Sequence, residues 1–279
     1  MFDSVIFSFF PFLLSFVGTF FLSNVFVSYY NNLKLEGTIK SRLTRKRISQ
    51  GAGSIVIFCG GSLSLCFVVV MGFVPPPLFL QVLFLGALLT VIGFRANVSA
   101  LKAKGVFLFQ LTFAILLVVL LQTHFLNLSG IIEFTLAVVF SIVCVYFISA
   151  LNMLEKTSIL FSIAVTLFGS VLGIYTNDLI LSTANFSVMG SLLAFTFFNF
   201  SESKNIELGL SGEMLIGLSV ATQGLYLYGN ETSAYSNFLP LAFILFIYPV
   251  CDALQYFGSM AINKLFGKNI KVRQIHNYF

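Results

Sequence analysis

Long apolar runs alternate with short polar breaks along the whole chain. A run of 18 or more apolar residues reads as a bilayer-crossing helix, because about 20 residues are needed to span the hydrocarbon core. Nine runs are read as spans: roughly Ser4–Tyr29, Gly51–Phe73, Leu78–Phe94, Gly105–Thr123, Gly130–Ala150, Thr157–Tyr175, Leu179–Phe198, Leu210–Tyr228 and Phe238–Ile262. The pattern predicts an all-α polytopic integral membrane protein. Residues 1–279 form one transmembrane domain, with no tandem repeat, long linker or soluble insert. An odd number of spans puts the two chain ends on opposite sides of the membrane.

The polar breaks sort by charge. Lys34, Lys40, Arg42, Arg45, Lys46 and Arg47 lie between the first two spans. Arg95, Lys102 and Lys104, then Lys156, then Lys204 fall in every second break after that. The tail carries Lys264, Lys268, Lys271 and Arg273. The intervening breaks hold Pro75, Pro76, Pro77, His124, Asp178 and Glu231, and no Lys or Arg. Positively charged short loops stay cytoplasmic, so the N-terminus is expected outside and the C-terminus in the cytoplasm.

Composition agrees with this reading. The chain is 58% hydrophobic and 9% charged, which excludes a soluble domain. Its net charge of +5 is spread over loops, which topology alone accounts for; the sharper reading is contact of these loops with anionic lipid heads or phosphates of the bilayer, and no nucleic acid is expected. The first span is too long for a signal peptide and lacks a basic n-region, so it is expected to be retained. Cys59, Cys66, Cys144 and Cys251 all fall inside spans, without metal-ligand spacing, and read as small apolar residues.

The cytoplasmic breaks carry a series of short motifs. Arg45-Lys46-Arg47 precedes Gly51-Ala52-Gly53 and Gly60-Gly61. Gly93 and Gln110 flank Lys104. Asn152-Met153-Leu154-Glu155 follows a span. Gly190-Ser191-Leu192-Leu193-Ala194-Phe195 leads to Asn199-Phe200 and Lys204. Gly209-Leu210-Ser211-Gly212 opens the next span, and Pro249-Val250-Cys251-Asp252 lies in the last. The tail reads Arg273-Gln274-Ile275-His276-Asn277.

In this order the segments resemble the polyprenyl-phosphate N-acetylhexosamine-1-phosphate transferases, glycosyltransferase family 4, which include the phospho-MurNAc-pentapeptide translocases. The resemblance covers about 230 residues. It implies a protein of the bacterial inner membrane that handles a polyprenyl phosphate and a UDP-sugar, with Mg²⁺ as cofactor if the chain is active. It also implies substrate-binding roles for Arg45, Lys46, Lys104, Asn152, Asn199, Lys204, Arg273 and His276, and a catalytic role for Glu155. Family members usually continue into a further span beyond the histidine loop, which here closes the chain.

The acidic positions of the family depart from its pattern. Its Asp-Asp pair aligns with Ala96-Asn97. The aspartates of its DGxDG motif align with Glu155 and Ser158, with Lys156 in place of a glycine. The aspartate of its GD pair aligns with Leu210, or with Gly209 if an insertion is placed earlier, and the histidine of RKxH aligns with Ile48. Mg²⁺ requires hard oxygen ligands, and alanine and leucine supply none. No metal site is therefore expected.

Three functions stay open on this reading. One is a catalytically degenerate scaffold that binds a lipid phosphate, a second copy or another membrane subunit. Another is an active transferase of cell-envelope polysaccharide synthesis, rebuilt around Glu155 with Glu202, Glu207 or Glu213. The third is a small lipid-handling protein or transporter. Asp252 would be costly in the last span unless paired, so it is read as a structural intramembrane acid.

Overall fold

A computed structural model describes residues 2–33, 39–72, 76–99, 103–122, 130–152, 157–201 and 206–229. These residues form eight helices: α1 (Phe2–Leu33), α2 (Ile39–Val70), α3 (Pro76–Ser99), α4 (Ala103–Gln122), α5 (Ile131–Asn152), α6 (Thr157–Tyr175), α7 (Leu179–Asn199) and α8 (Gly209–Gly229). Six of them are long and apolar enough to cross a membrane: α1, α2, α4, α5, α6 and α7. The apolar part of α3, Leu80–Ala96, is shorter. The ninth expected span, Phe238–Ile262, lies outside the described residues.

The helix boundaries correct one expectation. The break between the first two spans is largely helical, because α2 begins at Ile39 and not near Gly51. No Gly or Pro interrupts residues 39–50, and Arg and Lys are good helix formers, so the helix runs on past its apolar part. Arg45 and Lys46 thus sit on the second turn of a helix, by backbone register.

Specific contacts set the helix directions. Phe9 and Phe12 of α1 meet Phe186 of α7, and Phe20 meets Phe198, so α1 and α7 run parallel. Phe10 meets Phe67 while Gly18 faces Gly60, so α2 runs antiparallel to α1. Gly173 faces Ser182 and Gly169 faces Asn185, which makes α6 and α7 an antiparallel pair. Val145 faces Gly217 and Ser149 meets Glu213, which does the same for α5 and α8.

The packing is a ring around one helix. α8 touches α2, α3, α4, α5 and α6. Consecutive helices from α2 to α7 touch one another, and α7 returns to α2, which closes the ring. α1 lies outside it, on the seam between α2 and α7. α8 spans 21 residues but is too polar to count among the six, since it carries Ser211, Glu213, Ser219, Thr222 and Gln223. Its central place shields those groups from lipid, where each would be costly.

The outer face is apolar in the opposite sense. Phe9, Phe10, Val17, Phe21, Leu80, Phe84, Val91, Leu108, Ile131, Ile132 and Leu136 are all exposed large side chains. So much apolar surface is not tolerated in water, and lipid is the solvent that fits it. Small residues do the close packing between helices. Ser15 of α1 packs on Gly190 of α7, and Thr19 packs on Gly60 of α2. The Ser64 and Ser187 hydroxyls pair across α2 and α7. Without a hydrophobic driving force between helices, such short side chains are what let backbones approach.

Candidate functional site

Several motif residues meet at one end of the bundle. Asn199 closes α7, and its Nδ2 donates to the Ile206 carbonyl at 2.9 Å across the α7–α8 connection. It therefore does not cap its own helix; the C-cap is Phe200. Next to this bond, Gly53 N–H of α2 donates to the Glu207 carbonyl at 3.3 Å. A Cβ on residue 53 would stand 2.7 Å from that oxygen and 2.8 Å from Phe195 Cζ, so only glycine permits the approach. Gly209 then starts α8 with φ +62°, a left-handed conformation that suits glycine.

One turn further in, polar side chains tie α8 to its ring. Ser211 Oγ donates to Ser54 Oγ at 2.7 Å, and both residues are fully buried. Gly93 of α3 packs directly on Ser211, with Phe109 of α4 beside it. Ser149 Oγ of α5 donates to Glu213 Oε2 at 2.6 Å. Gln110 of α4 is buried, and its Oε1 has no partner.

The same end carries the basic positions, as far as the backbone places them. Arg45 and Lys46 are near the start of α2, Lys104 is at the start of α4, and Asn152 and Asn199 end α5 and α7. Arg95, near the end of α3, is exposed. Glu155, Lys204, Arg273, His276 and Asp252 lie outside the described residues.

Among the described residues, no three of His, Cys, Asp and Glu are grouped to hold a metal ion. Ala96, which the resemblance sets against the first residue of an Asp-Asp pair, is buried. The Glu213 carboxylate is engaged by Ser149, and the buried serines pair with each other. This set does not fit Mg²⁺, whose octahedral shell needs carboxylates and phosphates at close, regular distances. What it builds is a polar joint that ties α8 to α2 and α5 and bonds the end of α7 to the segment before α8.

The opposite end holds a joint that span counting does not reveal. Just past the end of α6, Asn177 sits in the left-handed region at φ 57°. Asp178 N–H donates to the Gly173 carbonyl at 2.8 Å and Asn177 N–H to the Ile174 carbonyl at 3.2 Å, a Schellman turn. Asp178 then caps α7, its Oδ1 accepting from Leu181 N–H at 2.9 Å. Its Oδ2 accepts from Tyr226 Oη of α8 at 2.7 Å. The cap was readable from an acid placed just before an apolar run. The tyrosine, 48 residues away, was not.

Compared with known proteins, the chain matches no protein-family model and no curated relative.

Proposed function

We propose that this chain is a nine-span protein of the bacterial inner membrane, with its N-terminus outside and its C-terminus cytoplasmic. In this reading it has the scaffold of the polyprenyl-phosphate glycosyl-1-phosphate transferases without their carboxylate site. It holds the phosphate of a polyprenyl lipid at its basic end and transfers no sugar phosphate by itself. A second copy or another membrane subunit supplies the rest of the activity.

The observation that carries this reading is the meeting of Gly53, Gly93, Asn199 and Ser211 at one end of the bundle. They come from four separate segments of the resemblance, up to 158 residues apart by number (211 − 53). Of the acid positions in the resemblance, those filled by Ala96, Asn97, Ser158 and Leu210 bring no carboxylate, and Glu155 alone keeps one. A lipid phosphate is an anion, and the connections that leave this end are the basic ones. Charge-assisted hydrogen bonds from Arg and Lys are the strong means of holding such a group.

Two experiments test the proposal. Alkaline phosphatase fused after residue 279 is expected to be inactive, and the same enzyme fused before residue 1 active; the reverse pattern would overturn the orientation. Purified protein is expected to bind polyprenyl phosphate. The double substitution Arg45→Glu with Lys46→Glu should weaken that binding by about tenfold or more, since losing one charged hydrogen bond costs about 1.5–3 kcal/mol. Unchanged affinity would remove the basic end from the proposal.

A further inference from the structure

α1 packs against α2 and α7 and presents two unlike faces. Towards the bundle, Ser15, Thr19 and Ser23 recur every fourth residue and are fully buried. Away from it lie Phe10, Leu14, Val17, Phe21, Asn24 and Ser28, none of them buried. At about 100° per residue, all six fall within about 40° of the direction opposite Thr19. Val17 and Phe21 are 62% and 66% exposed, so no other described helix covers this face.

An apolar stripe of this kind suits lipid, but Asn24 does not. Its Nδ2 donates to the Phe20 carbonyl at 3.0 Å, and it makes no other hydrogen bond among the described residues. One amide N–H and the Oδ1 acceptor are therefore left over. Asn24 lies five residues (29 − 24) inside the end of the apolar stretch Phe9–Tyr29. That is about 7 Å at 1.5 Å per residue, within the zone where lipid tails offer neither donor nor acceptor. A polar group left open there is costly, and a neighbouring helix with a matching group relieves the cost.

We propose that two copies of this chain pair in parallel through this face of α1, with Asn24 bonded to Asn24 across the interface. The inference deepens the proposed function by giving the second copy a surface, and it rests on that reading for the use of the pair, not for its geometry. Copies inserted in one membrane share an orientation, so a two-fold axis between them runs along the membrane normal and brings equal depths together. Asn24 then meets its own counterpart. An amide is self-complementary: each Oδ1 accepts from the free N–H of the other, which fills both groups left open in a single copy. That match selects a second copy over an unrelated membrane helix, which would need a polar group at the same depth. The flanking residues fit the same partner. Steps of 4, 3, 4, 3 and 4 residues from Phe10 to Ser28 make a heptad seam, the spacing that keeps two helices in contact along a left-handed crossing. A single asparagine in such a seam fixes its register.

The test uses the full chain. Donor- and acceptor-labelled copies are reconstituted together in phosphatidylcholine–phosphatidylglycerol vesicles, and energy transfer between them is followed as lipid is added. Pairing that dissociates on dilution is expected, and Asn24→Leu should shift its midpoint about tenfold towards higher protein-to-lipid ratio. This substitution sets an apolar side chain against lipid, so the fold should survive it. Under oxidation Val17→Cys should form a disulfide between copies, whereas Leu22→Cys, on the α2 side of α1 by helical register with Gly18, should form none. Polyprenyl phosphate binding, read on the same vesicles, should be equal in Asn24→Leu and the unaltered chain, which tells loss of the pair from loss of the lipid site. Copies that stay single at every ratio overturn the proposal and leave this face to lipid. A pair as tight in Asn24→Leu as in the unaltered chain overturns it as well.

Discussion

Gly60→Leu is expected to destabilise the protein by about 3 kcal/mol, at the upper end of what overpacking a close contact costs. Gly60 lies where α2 touches α1, and even a Cβ there would overlap Thr19 Oγ1 and stand 2.9 Å from the Thr19 backbone nitrogen. The backbone cannot retreat without opening the seam that α1 forms with α2 and α7. Gly61 supplies the control on the same helix. A Cβ on Gly61 would be 3.7 Å from Ser191 Oγ, an ordinary contact, so Gly61→Ala should be close to neutral. Denaturation midpoints of Gly60→Leu, Gly60→Ala and Gly61→Ala would check this. Equal effects of the two alanine variants would mean that the α1–α2 contact is not as close as described.

Asp178→Ala is expected to cost about 2–4 kcal/mol. The carboxylate caps α7 through Leu181 N–H and also accepts from Tyr226 Oη. Losing an N-cap costs about 1 kcal/mol, and losing a hydrogen bond to a charged group costs about 1.5–3 kcal/mol. Tyr226→Phe removes only the second bond and should cost less. Asp178→Asn keeps the one acceptor that caps α7 and puts an amide donor where Oδ2 accepted, so it should cost less than Asp178→Ala. A double-mutant cycle between Asp178 and Tyr226 isolates the bond between α8 and the α6–α7 turn. No coupling would mean that the two ends are held together by other contacts.

Both residues bear on what could be read in advance. The apolar runs marked the helices well, and α6 runs over Thr157–Tyr175 as expected. The second span, expected at Gly51–Phe73, agrees with the apolar part of α2, Ala52–Val70, while the basic stretch before it is helical from Ile39 because Arg and Lys continue a helix. The ring was not legible, because these helices are apolar on most sides and the pattern does not say which side meets protein. A hint was present in α8, whose Glu213 and Gln223 suit only a shielded helix.

The candidate site divides in the same way. The glycines at 53, 93 and 209 were noticed as motif letters, and their close contacts and backbone conformation now give each a physical reason. The pairing of Ser54 with Ser211 joins residues 157 apart and has no local signal. Ser149 with Glu213 is similar, at a separation of 64. Asn199, a substrate-binding candidate by resemblance, bridges the α7–α8 connection through its side-chain amide. Long-range polar pairs of this kind come from tertiary packing, which no window of sequence contains.

The central claim is that this scaffold holds a lipid phosphate without transferring sugar phosphate to it. Purified protein, shown to bind polyprenyl phosphate, would be incubated with that lipid, a panel of UDP-N-acetylhexosamines and Mg²⁺, and UMP release measured. The account predicts binding without UMP release. Mg²⁺-dependent UMP release that is lost in Glu155→Gln would contradict it, and would mean that an acidic centre has been rebuilt around Glu155.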